Sequence, residues 1–229
     1  MTGWWVHDVF NGMGGGGAGA AAVLGWVFWV LASITLHELG HGWAAIWQGD
    51  RTPIETGHMS ASPLVHMGGL SLIVFAFIGI AWGLMPVNPS RFRHRRWGRV
   101  MVAAAGPAMN LLLFLLIATV LGVLIGTGAI RPEEQGFGKN VFYFLLNGAM
   151  LNLLLLAFNL LPVPPLDGWR ILEGVSFKIR MLTNHPNAPI AGLFFLMAIF
   201  LTGAFDWFVM AANHVAVYWV AMVAGLFAG

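Results

Sequence analysis

Apolar residues in this chain come in long runs, not at the short periods of a half-buried helix or strand. The first run, residues 18–48, contains Ala20-Ala21-Ala22-Val23-Leu24-Gly25-Trp26-Val27-Phe28-Trp29-Val30-Leu31-Ala32 and stops at Gly49-Asp50. A bilayer core asks for about 20 apolar residues of helix, so this run predicts a spanning helix. Residues 99–127 and 141–161 predict two more. Residues 189–228, broken near Thr202-Gly203-Ala204-Phe205-Asp206, predict two short spans in a hairpin, with one long kinked element the alternative. Between these runs, residues 50–65 are polar and turn-rich, and residues 66–86 are apolar but interrupted by Gly68-Gly69, Gly79 and Gly83. Residues 169–188 carry Arg170, Lys178 and Arg180 and predict an interfacial segment. Residues 1–17, with Trp4, Trp5 and the run Gly14-Gly15-Gly16-Gly17, predict a flexible N-terminus with its tryptophans at headgroup level. The pattern therefore predicts an all-α polytopic membrane protein. It would have about five spanning helices plus a re-entrant or membrane-associated segment around residues 50–86. No longer period recurs, so a repeat array is excluded.

Composition sharpens this picture. Of 229 residues, 59% are hydrophobic and only 9% charged, with a mean hydropathy of +0.79. Soluble domains carry about 25% charged residues, so this chain is built for lipid. A single transmembrane domain over 1–229 is expected, with its core at 18–168 and the apolar hairpin at 189–228. An appended soluble domain is not expected within these residues. The absence of cysteine removes disulfides, thiolate metal sites and a cysteine nucleophile, so any metal must sit on nitrogen and oxygen. Nucleic-acid binding is not expected, because the arginine cluster at 91–99 lies between hydrophobic segments. No Lys or Arg precedes Arg51, so the positive region of a cleavable signal is not expected either.

The candidate chemistry starts at His37-Glu38-Leu39-Gly40-His41, in the second half of the first span. At about 3.6 residues per turn, positions four apart share a helix face, so two imidazoles can meet one metal ion. Glu38, beside the first ligand, can take a proton from a metal-bound water. Ionisable groups are costly at membrane depth, which makes a functional reading the default. Catalytic zinc sites add a third protein ligand and keep a position open for water. The chain has four aspartates, Asp8, Asp50, Asp167 and Asp206. Asp50 would be about 13 Å from His41 along a continuous helix, Asp8 lies in the N-terminal tail, and Asp206 falls at a hairpin tip. Asp167 follows a span in backbone that Pro162, Pro164 and Pro165 forbid from continuing as helix. Irregular backbone at membrane depth is tolerated where it lines a protein or water cavity, so Asp167 is the best third ligand.

In combination, three motifs resemble the site-2 protease family of intramembrane zinc metalloproteases. They are the histidine motif, Gly106-Pro107-Ala108-Met109-Asn110, and Asn159-Leu160-Leu161-Pro162-Val163-Pro164-Pro165-Leu166-Asp167-Gly168. Pro86-Val87-Asn88-Pro89 and the arginines after it resemble the compact prokaryotic members, which lack PDZ and CBS modules. The resemblance implies one Zn2+ per chain on His37, His41 and Asp167, with Glu38 as the base. It implies contacts from Asn110 and Asn159 to substrate or the developing oxyanion. It also implies that the substrate is a transmembrane protein cut within or near its membrane segment, in a prokaryotic inner membrane. Asn152, seven residues before Asn159, shares its helix face and is expected to look into the site, with interhelical hydrogen bonding the alternative. His66 is a further candidate, as a gate or substrate contact. Zinc itself is inferred from ligand type. The competing reading is a membrane metal transporter or sensor using the same ligands without hydrolysis.

Metal geometry constrains the topology independently of the family. Ligands within about 2.0–2.2 Å of one ion must lie at one membrane level. The helices carrying His41 and leading to Asp167 must therefore run the same way, with an odd number of crossings between them. Residues 99–127 supply one, so residues 66–86 are expected to dip in and return, or to lie against the helices. Nine of the eleven basic residues, Arg51, the five arginines from 91 to 99, Arg170, Lys178 and Arg180, then fall on one side. That side is expected to be cytoplasmic, with the active site toward that leaflet.

Overall fold

The computed structural model describes residues 6, 7, 9, 16–133, 136–183 and 188–228. Trp4, Trp5, Asp8, Gly14, Gly15 and His185 lie outside the described residues. The described residues form helices and connecting turns, with no strand among them. In order these are α1 (Gly16–Trp47), α2 (Thr52–Glu55), α3 (Pro63–Ile78), a 3-10 turn (Pro89–Arg91), α4 (Trp97–Gly126) and α5 (Phe137–Asn159). The short α6 (Asp167–Val175) and α7 (Phe177–Thr183) follow, then α8 (Ala188–Leu201) and α9 (Ala204–Phe227).

Among the described residues four helices, α1, α4, α5 and α9, are long and apolar enough to cross a bilayer. The C-terminal hairpin has unequal arms: α8 has 14 residues against 24 for α9. At about 1.5 Å per residue α8 reaches about 21 Å, short of a hydrocarbon core of about 30 Å. The chain is an integral membrane protein.

Side-chain contacts fix the relative directions of the long helices. Along α1, Gly40 packs on Ala105, His41 bonds to Val102 and His37 to Asn110, so ascending numbers meet descending ones and α4 is antiparallel to α1. Trp29 caps the Phe144 carbonyl through its indole N–H at 2.7 Å, and Ser33 meets Asn152, so α5 runs parallel to α1. Trp219 bonds to Thr119 and Val223 packs on Gly122, so α9 runs parallel to α4. Lipid gives no hydrophobic drive for helices to associate, so they hold together by close packing and a few polar contacts. Gly148 shows this: a Cβ there would strike the indole ring of Trp29. The core around the crossing joins Trp29, Ile34, Phe114, Leu121, Leu151 and Val220.

The segment at 63–88 doubles back, as the ligand geometry requires. Helix α3 breaks at Gly68 (φ 67°, ψ 166°) and ends at Gly79 in the left-handed region, a conformation glycine adopts without penalty. The chain then returns extended along its own helix. The Leu84 N–H donates to the His66 carbonyl at 2.9 Å, and Trp82 exchanges two hydrogen bonds with the Ser71 hydroxyl at 2.8 and 2.9 Å. Buried Asp50 anchors the end of the return by accepting from the Asn88 N–H at 2.6 Å and from both donors of Thr52.

Candidate metal centre

Three elements bring the polar cluster together. Helix α1 presents His37 and His41 on one face. Helix α4 supplies the floor at Gly106, and the proline-rich turn after α5 delivers Asp167 at the start of α6. Pro162, Pro164 and Pro165 end α5 here, so the chain turns and the carboxylate swings back under the imidazoles. His37 Nε2 and His41 Nε2 are 3.1 Å apart, and Asp167 Oδ2 is 3.1 and 3.2 Å from them. All three residues are buried.

This near-equilateral triangle fits a metal ion. Ligands at about 2.0–2.1 Å from a tetrahedral ion are about 3.3–3.4 Å from each other, within a few tenths of an ångström of these spacings. Each imidazole donates its other nitrogen elsewhere: His37 Nδ1 to the Asn110 amide oxygen and His41 Nδ1 to the Val102 carbonyl, both at 2.6 Å. Both Nε2 lone pairs therefore face the centre, the tautomer a metal ligand needs. The space is kept clear by Gly106, where a Cβ would land against the Nε2 atoms of both histidines. Among the described residues, these three form the one group of histidine and acidic side chains spaced to hold a metal.

Glu38 is buried beside the trio and lines two adjoining cavities of about 430 and 390 Å3. The first is walled by Ile34, Leu155, Phe158, Asn159 and the ligands, and the second by Pro86, Phe92, Arg99 and Glu173. Leu84, Met85 and Arg170 border both. The returning segment passes directly over the glutamate: a Cβ on Gly83 would lie 2.5 Å from Glu38 Oε1. A carboxylate, a metal-ligand set and open volume thus share one point, an arrangement suited to activating water.

The remaining candidates divide. Asn159 lines the larger cavity, its amide nitrogen bonded to the Leu155 carbonyl at 3.0 Å. Asn110, expected to contact substrate or the developing oxyanion, does not line either cavity. It is fully buried, accepting from His37 and donating to Asn152 at 3.0 Å. Asn152 turns away from the cavity as well, donating to Ser33 and the Gly148 carbonyl, both at 2.9 Å. It shares a face with Asn159, but seven residues separate them by about 10 Å of depth. His66 is buried outside the cluster, bonded to the Ser60 carbonyl at 2.7 Å. Asp50 serves the loop anchor described above, and Asp206 is exposed. Gly83, Gly106 and Ser33 carry no chemistry-bearing signal in sequence, although Gly106 opens a motif already singled out.

A buried His-His-Asp centre with an adjacent glutamate, set among membrane-crossing helices, defines a membrane-embedded metallopeptidase. The model of peptidase family M50 matches residues 25–143 and 134–203, and the chain belongs to that family, the site-2 proteases. It is 31% identical over 182 residues to YwhC of Bacillus subtilis, covering 77% of this chain and 80% of the relative. It is 26% identical over 231 residues to Rip2 of Mycobacterium tuberculosis, covering 97% and 81%. Both relatives are named among the zinc metalloproteases. No solved structure matches the chain at a significant level.

Proposed function

We propose that this metalloendopeptidase uses one zinc ion on His37, His41 and Asp167 to hydrolyse peptide bonds within or near the transmembrane segments of membrane proteins. The observation that carries the reading is the 3.1–3.2 Å ligand triangle beside buried Glu38, on a helix apolar enough to span. Zinc, when bound, lowers the pKa of its water toward about 7 and polarises the scissile carbonyl. Glu38 takes the proton from the attacking water and delivers it to the leaving amine. Asn159 contacts the substrate from the cavity wall. Asn110 holds His37 in its ligand tautomer.

A substrate helix hides its carbonyls in its own hydrogen bonds and must unwind to be cut. The extended return offers a template for it. Trp82 and Leu84 bond back to α3, while the intervening Gly83 packs on Glu38 and Met85 lines the cavities. A substrate added as a strand along that side would lie over the base. Proline substitutions at Gly83 or Met85 that left cleavage intact would refute this part.

The reading places the chain as one domain in a prokaryotic cell membrane, with the site toward the cytoplasmic leaflet. In support, the basic segments are tied together at one end. Arg91 pairs with Glu55 at 2.6 Å, the Arg93 N–H donates to the Gln48 carbonyl at 2.7 Å, and Arg96 donates to the carbonyls of Gly174 and Val175. The test is Glu38→Gln in proteoliposomes with a single-pass reporter. It should keep zinc and lose cleavage by about 100-fold or more. Undiminished cleavage would refute the role of Glu38. Metal flux that survived Glu38→Gln would instead support transport on the same ligands.

A further inference from the structure

His41 has its tautomer set directly by a backbone carbonyl, that of Val102. His37 has no such neighbour; its Nδ1 meets a side-chain amide that could accept or donate. We propose that a directional relay, Gly148 carbonyl–Asn152–Asn110–His37, with Ser33 as a second anchor, fixes His37 as a metal ligand, making Asn152 and Ser33 positioning residues of the metal centre. This inference rests on the metalloprotease reading and adds residues to it that lie outside the cavity.

The argument starts at the far end. The Gly148 carbonyl, 2.9 Å from the Asn152 amide, can only accept, so it demands the NH2 end of Asn152. That leaves the Asn152 oxygen facing Asn110, which must present its own NH2 group across the 3.0 Å contact. The Asn110 oxygen is then the only atom left for His37, 2.6 Å away, and it accepts only from Nδ1–H. With the proton on Nδ1, Nε2 keeps its lone pair for the ion. Reversing the imidazole would flip both amides and set the Asn152 oxygen against the Gly148 oxygen. Ser33, Asn110 and Asn152 are all fully buried, so water cannot repair that conflict. The relay joins Ser33 and His37 on α1, Asn110 on α4, and Gly148 and Asn152 on α5, so the packing of three helices is read out as the orientation of one ligand.

The experiment uses the full chain and its variants in detergent. After metal is stripped with a chelator, the His37 tautomer is read from two-bond 15N–1H correlations. Zinc affinity is then measured by chelator competition. Asn152→Leu should mix the Nδ1–H and Nε2–H forms and weaken zinc by about 10–100-fold. Asn147→Leu, which removes another buried amide from the same helix, should change neither. A single Nδ1–H form with parental affinity in Asn152→Leu would overturn the proposal. Should that variant not fold, Asn152→Asp carries the test. In either protonation state it can offer Asn110 an acceptor, so the single tautomer should persist, and a mixture would overturn the relay. Neither readout involves substrate, so failure here is distinct from failure of the proteolytic reading.

Discussion

Gly106→Ala is the smallest change that should empty the metal centre. The added methyl would lie 2.5 Å from His37 Nε2, where ordinary contact begins at 3.4 Å, a shortfall of 0.9 Å. It would press on His41 Nε2 and His37 Cε1 as well, so moving one imidazole does not relieve it. Metal sites tolerate deviations of about 0.2 Å in ligand distance, and a misplacement of about 1 Å costs a catalytic arrangement about 100-fold. The methyl also takes the space between the two nitrogens that the ion needs. Helix propensity acts the other way, since glycine to alanine in a helix interior is worth about 0.5–1 kcal/mol to folding. The variant should therefore keep its helical signal while losing zinc affinity and cleavage by about 100-fold or more. Zinc content by atomic absorption and far-ultraviolet dichroism on the same sample separate the two effects. Gly225→Ala is the control, because a Cβ there meets nothing within 4 Å. Zinc retained within a few-fold in Gly106→Ala would refute the placement of the metal against α4.

Gly83→Ala should give the complementary phenotype. Its methyl would meet Glu38 at Oε1, Cγ and Cδ (2.5, 2.7 and 2.9 Å), its three nearest atoms, and displace the carboxylate. Zinc content should be unchanged and reporter cleavage should fall by about 100-fold; equal loss of both would contradict the geometry. Asp50 supplies a pH dependence. Burial pushes its pKa up, but hydrogen bonds from Asn88 and Thr52, with Arg91 nearby, hold it below the usual 3.8. Its contribution to stability is thus present above that value and lost as pH falls through the lowered one. The gap in thermal midpoint between parent and Asp50→Asn should be open at neutral pH and narrow on acidification below 3.8. A gap independent of pH would refute the anchor.

Much of the site was legible because its members announce themselves chemically. Two histidines four apart with an intervening glutamate share a face in any helix, and Asp167 was reached by eliminating three other aspartates. The doubling back of residues 66–86 followed from requiring two helix ends at one level, an argument that needs no coordinates. What stayed hidden depends on contact between distant segments. Asn110 and His37 are 73 residues apart, and Asn152 and Ser33 are 119 apart, so no spacing rule links them. An asparagine in a family motif reads as a substrate contact, and its bond to an imidazole is seen only in the fold. Asn152 and Asn159 share a face, but sequence periodicity reports direction and not depth. The close approaches at Gly83 and Gly106 were invisible for a simpler reason: a glycine's role there is the space it leaves. The break near Gly203 was legible from Thr202-Gly203 and Asp206, and it divides the C-terminal stretch into α8 and α9.

The most direct measurement is cleavage of a single-pass reporter by the full chain in proteoliposomes, with the products mapped by mass spectrometry. Activity should vanish with a chelator, return with zinc, and cut at a bond inside or bordering the reporter's membrane segment. Cleavage that persisted without metal, or fell only in a remote soluble loop, would contradict a zinc centre built from His37, His41 and Asp167 to work in the bilayer.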